Sequence, residues 1–152
     1  MAQTILPVPC VGQRRTGECL AACAAMVLDY LGAPVAYSRL VKMLEIVLGA
    51  GVASFKIRNL ERIGVRVQYE SGTLEQLREQ LLAGHPCIAF VETRELPYRD
   101  DDTSHAVVVV GFDNETFLLN DPEYVNSPVS VSAGDFDLAW LEHDEKYAVI
   151  TH

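Results

Sequence analysis

The chain has 152 residues, 49% hydrophobic and 22% charged, which suits one soluble globular domain with one core. A net charge of −9 works against nonspecific binding to nucleic acid or to an anionic membrane surface. No apolar run approaches the roughly 20 residues of a membrane span, and the N-terminus has no basic region followed by an apolar stretch, so no secretory signal is read and a cytoplasmic location is expected. Four cysteines (Cys10, Cys19, Cys23 and Cys87) are too few and too unevenly spaced for a disulfide framework.

Residues 1–12 read as an extended leading segment, since Pro7 and Pro9 suit neither a helix nor a central strand. The stretch from Gln13 to Gly32 reads as a short loop feeding an apolar helix over 17–31, with Thr16 as N-cap, Glu18 in the first turn and Gly32 as stop. This helix is apolar nearly all round and therefore expected in the middle of the domain. Ser38 opens a second helix over 39–48, with Leu40, Val41, Leu44, Val47 and Leu48 at helical spacing, and Ser54 a third over 55–63. Residues 65–69 alternate as a strand. Thr73 and Gln76 form a capping-box pattern for a helix over 74–83, stopped by Gly84.

The second half reads as mainly β. Residues 86–91 form a buried strand, and 95–104 a polar loop containing Arg99-Asp-Asp-Asp102. Residues 106–112 are almost continuously apolar, as in a strand covered on both faces. Asp113-Asn114 is a turn signal, 116–120 returns, and 129–131 adds a strand. Ser132 caps a short helix carrying Phe136 and Trp140, and 146–151 closes the sheet. Helices first and an antiparallel sheet afterwards make an α+β domain.

Cys19 falls in the first turn of the central helix, where open backbone N–H groups and the helix dipole favour a thiolate. If the chain reverses at Asp113-Asn114, His105 comes to lie beside position 121 or 122, so His105 and Asp121 can touch as opposite or diagonal neighbours. That supplies a base and its orienter: Asp121 takes one ring nitrogen and the other faces the thiol. Gln13, just upstream, could give a side-chain amide to an oxyanion together with the Cys19 N–H. Taken singly, each residue has a plainer reading. Cysteine commonly fills space in a core, His105 is a strand-end residue, Asp121-Pro122 is a turn dipeptide, and Gln13 is a solvated side chain.

The ordered set is more specific. Gln13, Cys19, the following Ala-Ala, Met26 and Leu-Asp-Tyr-Leu-Gly32, Gly84-His-Pro86, His105-Ala-Val-Val-Val-Val-Gly111, Asn120-Asp121-Pro122, and Phe136 with Trp140 together resemble the bacteriocin-processing cysteine peptidases. These are papain-like domains of bacterial peptide exporters that cut leader peptides after a double glycine. The resemblance spans nearly the whole chain. It implies a papain-like α+β fold, with a helical half packed on an antiparallel sheet and one peptidase domain over 1–152. It also implies Cys19 as nucleophile, His105 as base, Asp121 as orienter and Gln13 as oxyanion donor. The implied partner is a peptide or protein substrate, with association to a peptide exporter; no exporter domain follows, as in stand-alone relatives. The family's Asp-Cys-Gly is Glu18-Cys19-Leu20 here, which alters the cleft floor.

Glu18, Leu20, Asp102 and Ser104 flank these positions and are the candidate substrate contacts. Cys19 and Cys23, one turn apart, would make a zinc set with His105, but no second cysteine pair exists. Cys23 reads as core, and no metal or other cofactor is expected. Two alternatives stay open: an acyltransferase or amidase using the same triad, and a non-catalytic peptide-binding domain.

Overall fold

A computed structural model describes residues 3–47 and 49–152, leaving aside the side chain of Val125. Seven strands form one antiparallel sheet: β1 Thr4–Ile5, β2 Arg66–Ser71, β3 Cys87–Glu92, β4 Ser104–Phe112, β5 Thr116–Asp121, β6 Tyr124–Ser132 and β7 Lys146–Thr151. Their order is β2-β7-β3-β4-β5-β6, and β1 pairs with the far end of β4. The helices are α1 Cys19–Tyr30, α2 Tyr37–Met43, α3 Leu74–Leu82 and α4 Ala133–Leu141. The α+β class expected from the sequence is the one observed.

Alternation along β3 and β4 divides the core. Ile88, Phe90, Ala106, Val108 and Val110 pack with α1, α2 and the turn of helix after them. Cys87, Ala89, Val91, Val107 and Val109 pack with Leu77 and Leu81 of α3 and with Phe136 and Trp140 of α4. The apolar run of β4 is thus explained by helices on both faces rather than one. β7 does not close an edge of the sheet; it lies between β2 and β3.

Several boundaries differ from the sequence expectation for local reasons. Thr16 does not cap α1. Gly17 takes φ +88°, turning the chain between Thr16 and the helix, so Glu18 is the capping residue, without a side-chain cap bond. At the other end Ala33 N–H donates to Leu28 O and Gly32 N–H to Asp29 O, the paired closure that a left-handed Gly32 permits. α2 begins before Ser38, with Ala36 as cap, and stops early because Glu45 takes φ +58°. Glu45 is ion-paired with Lys56. Leu48 lies outside the described residues. The third helix is a 3-10 helix over Ser54–Ile63, capped by Ala53. Its apolar residues Ile57, Leu60 and Ile63 recur every third position, the period of a three-residue turn. The capping box of Thr73 and Gln76 and the Ser132 cap are both present.

Candidate active site

Cys19 is the first residue of α1. The first intrahelical bond is Ala22 N–H to Glu18 O, so the N–H groups of Cys19, Leu20 and Ala21 have no acceptor within the helix. The sulfur faces a cleft of about 580 Å³ that is also lined by Gln13, Gly17, Leu20, Gly49–Ser54, Phe90, Asp101, Ser104, His105, Glu123 and His143. A cleft of that volume is in the range of small-ligand sites. Gly17 has to be glycine twice over: its φ is positive, and an added Cβ would stand 2.7 Å from the Gly51 backbone nitrogen. This backbone-to-backbone contact brings the 49–54 segment against the Cys19 turn.

His105 lies near the start of β4 and Asp121 ends β5. Val108 pairs with Asn120, and continuing that register sets Asp121 level with Val107, one diagonal step from His105. The imidazole Nε2 lies 2.8 Å from Asp121 Oδ1. A carboxylate only accepts, so Nε2 carries the proton and Nδ1 is left for the cleft. Both side chains are closed off from water, at 3% and 0% exposure. Burial works against charge on the imidazole, but hydrogen bonds and charge from Asp121 and Cys19 outweigh it and push its pKa up to about 9. Burial likewise opposes charge on Asp121. His105, Tyr98 and the Glu123 N–H overcome that and hold its pKa down at about 2.

Asp121 is fully partnered. Its Oδ1 also accepts from Glu123 N–H at 2.9 Å, while Oδ2 accepts from Tyr98 Oη at 2.6 Å and Arg99 Nη1 at 2.9 Å. Arg99 is itself buried and held by Asp101 and Glu123. Its pKa is raised, the three carboxylates outweighing a burial that would lower it. Donor atoms of His105, Asp121 and Glu123 lie within 4.8 Å of one another, as a metal set would. Here a guanidinium already occupies Asp121 Oδ2 and Glu123 Oε1, so the cation serving these carboxylates is Arg99.

Gln13 is tied to the same corner. Its backbone N–H donates to Pro122 O at 2.9 Å, and its Nε2 donates to Arg15 O at 3.0 Å. Its buried Oε1 has no partner among the described residues. The amide keeps a second N–H beyond the one given to Arg15 O.

The structure therefore brings Gln13, Cys19, Leu20, Ser104 and His105 to one cleft with Asp121 behind the imidazole. It does not bring Glu18 or Asp102 there. Glu18 is buried and accepts from Tyr37 Oη at 2.9 Å, because Tyr37 also takes the Arg14 N–H and braces the turn before α1. Asp102 pairs with Arg94 at 3.5 Å on the surface, and the cleft acid of that run is Asp101. Cys23 is fully buried and its pKa pushed far up by burial, as expected of a core thiol. His143 also lines the cleft and bonds Glu92 at 3.1 Å. Sequence reasoning also missed Tyr98, Arg99 and Glu123. Two of them carried a local signal: a lone arginine heading the Asp100–Asp102 run, and an acid two residues past Asp121.

The Peptidase_C39 like family model matches residues 5–147. The chain belongs to that family. Among solved structures, this C39-like chain is similar to a protein from Bacillus anthracis described as a C39-like peptidase. The TM-score is 0.84 at 20% identity, covering 100% of this chain and 98% of the other. It is similar also to the peptidase domain of Streptococcus ComA, a bifunctional ABC transporter involved in quorum sensing. That match has a TM-score of 0.77 at 17% identity, over 95% and 98% of the two chains. A third is a double-glycine-motif protease from an AMS/PCAT transporter in complex with the leader peptide, with TM-score 0.73 at 20% identity over 99% of each chain. No curated protein matches. The shared architecture is thus that of C39 peptidase domains. No helix among the described residues is long and apolar enough to cross a membrane.

Proposed function

We propose that the chain is a cysteine peptidase that cleaves a peptide bond with Cys19, His105, Asp121 and Gln13. The observation that carries the reading is the imidazole of His105, bonded on one nitrogen by Asp121 and facing the Cys19 side of an open cleft with the other. The Cys19 thiolate attacks the substrate carbonyl carbon, forming a C–S bond and an oxyanion. The Cys19 N–H and the spare amide N–H of Gln13 receive that oxyanion. As the tetrahedral species collapses, the C–N bond breaks and the leaving nitrogen takes the proton from Nδ1 of the imidazolium. His105 then removes a proton from water, which attacks the thioester, releases the carboxylic acid product and restores the thiol. The substrate is an extended peptide segment. The transporter protease with its bound leader peptide supports a leader-type substrate, and Leu20 on the cleft floor shapes the residues accepted.

Alkylation with iodoacetamide at mildly acidic pH tests the activated pair. Cys23 and Cys87 are buried and shielded in any case, so Cys10 is the informative comparator. Selective labelling of Cys19 over Cys10, lost in His105→Ala, is expected. Equal labelling of the two would overturn the pair. A peptide library read by mass spectrometry, wild type against Cys19→Ala with and without added amines, separates hydrolysis from acyl transfer and both from binding alone.

A further inference from the structure

Around the imidazole of His105 the carboxylates outnumber what one base requires. The groups facing it are Cys19 from α1 and Asp121 and Glu123 at the β5–β6 turn. Behind them stand Tyr98, Arg99 and Asp101 from the loop before β4, and at the end of β3 lies Glu92 with His143. Glu123 Oε1 lies only 3.6 Å from Nδ1, the nitrogen that serves the sulfur. The same oxygen accepts from Arg99 Nη2 at 2.8 Å. Arg99 also donates to Asp121 Oδ2 at 2.9 Å, is locked by two bonds it donates to Asp101 at 3.0 and 2.6 Å, and lies over the Tyr124 ring at 5.2 Å. Its side chain is 3% exposed, so the fork is fixed and not a surface pairing.

We propose that Arg99 is a positioning residue for the Cys19–His105 pair: its guanidinium presses Asp121 against one imidazole nitrogen and draws the Glu123 carboxylate off the other. The inference rests on the peptidase reading above for its meaning in turnover, though not for its geometry. Without the guanidinium, Glu123 needs a shift of less than an ångström to accept from a protonated Nδ1. It would then compete with the thiolate for the same proton, and hold that proton back from the leaving amine. Lysine cannot replace Arg99, because a point charge lacks the fixed fork of donors that reaches three carboxylates at once.

The experiment compares Arg99→Met, Glu123→Gln, the double variant and Asp101→Asn, using the pH profile of Cys19 alkylation and NMR titration of the His105 ring. Arg99→Met is expected to slow alkylation near neutral pH about tenfold or more and to raise the imidazole's titration midpoint, because two freed carboxylates now favour the imidazolium. Adding Glu123→Gln to Arg99→Met should restore most of the rate, a coupling that a purely structural arginine would not produce. Asp101→Asn removes a half-exposed partner and should shift both readouts in the same direction by less; it carries the test if Arg99→Met does not fold. A titration unmoved by Arg99→Met, no recovery in the double variant, or an unmoved Asp101→Asn where that variant stands alone would overturn the proposal. If wild-type Cys19 shows no selective labelling, the peptidase reading fails by itself, while the ring titration still reports whether Arg99 governs the carboxylates.

Discussion

Replacing Asp121 with Asn keeps the shape of the side chain and removes its charge. Asn can still accept from Nε2, but its NH2 would meet the Tyr98 hydroxyl and the Arg99 guanidinium, both donors. The imidazole then loses a carboxylate that, against the burial that would lower it, joins Cys19 in raising its pKa to about 9. The sign follows from linkage. A His raised in the folded state contributes stability that is complete below its unfolded value of about 6.5 and is lost as pH rises through about 9. Asp121, held down at about 2, contributes stability that is present above its unfolded value of about 3.9 and lost as pH falls through about 2. The wild type should therefore exceed Asp121→Asn most between roughly pH 4 and 6.5. At about 1.4 kcal/mol per unit, and leaving Cys19 a share, the pH-dependent part of the gap is about 2–3 kcal/mol. For a chain of this size that is about 4–12 °C in melting temperature. Urea unfolding of both proteins near pH 6 and again at about pH 9.5 measures it, the gap closing by that amount at the higher pH. A gap that stays constant across the two conditions would refute the reasoning, because it would mean that the charge of Asp121 is not what holds the imidazolium.

Under the proposed mechanism, Gln13→Ala should lower kcat by about 100- to 1,000-fold with a smaller change in KM, since its amide would bind charge that develops only during reaction; steady-state kinetics on a cleaved peptide decide this. Gly111→Ala would set a Cβ 2.3 Å from Thr4 O and force β1 off the sheet. The expected cost is about 1–3 kcal/mol, and the Leu6 N–H, which donates to Val110 O, should exchange with deuterium much faster than in wild type.

The elements that the sequence made plain were those whose signals are local and redundant. α1 could be read from its unbroken apolar surface and Gly32, α3 from its capping box, and the β4–β5 hairpin from an apolar run, an Asp-Asn turn and a returning run. The hairpin alone brought His105 within reach of Asp121, because cross-strand neighbours follow from register. Thr16 failed as a cap because nothing local announces that Gly17 must turn under Gly51, a contact across more than thirty residues. Glu18 was misplaced for the same reason: its partner Tyr37 comes from the next helix. Arg99 stayed invisible because a buried guanidinium among acids looks, in sequence, the same as a solvated charge run; only the fold removes the water.

The place of β7 between β2 and β3 has a consequence for how the chain reaches its folded state. As the polypeptide leaves the ribosome, β3 to β6 can zip together from successive neighbours, and with them the corner that holds the imidazole. β2, made earlier than any of these, pairs along its length with β7 and must wait for that strand to arrive. During the wait two open backbone rows, one on β2 and one on β3, invite pairing with other nascent copies. A protein cut short before Lys146 would remain in that condition, and its fate would be self-association rather than a smaller folded domain.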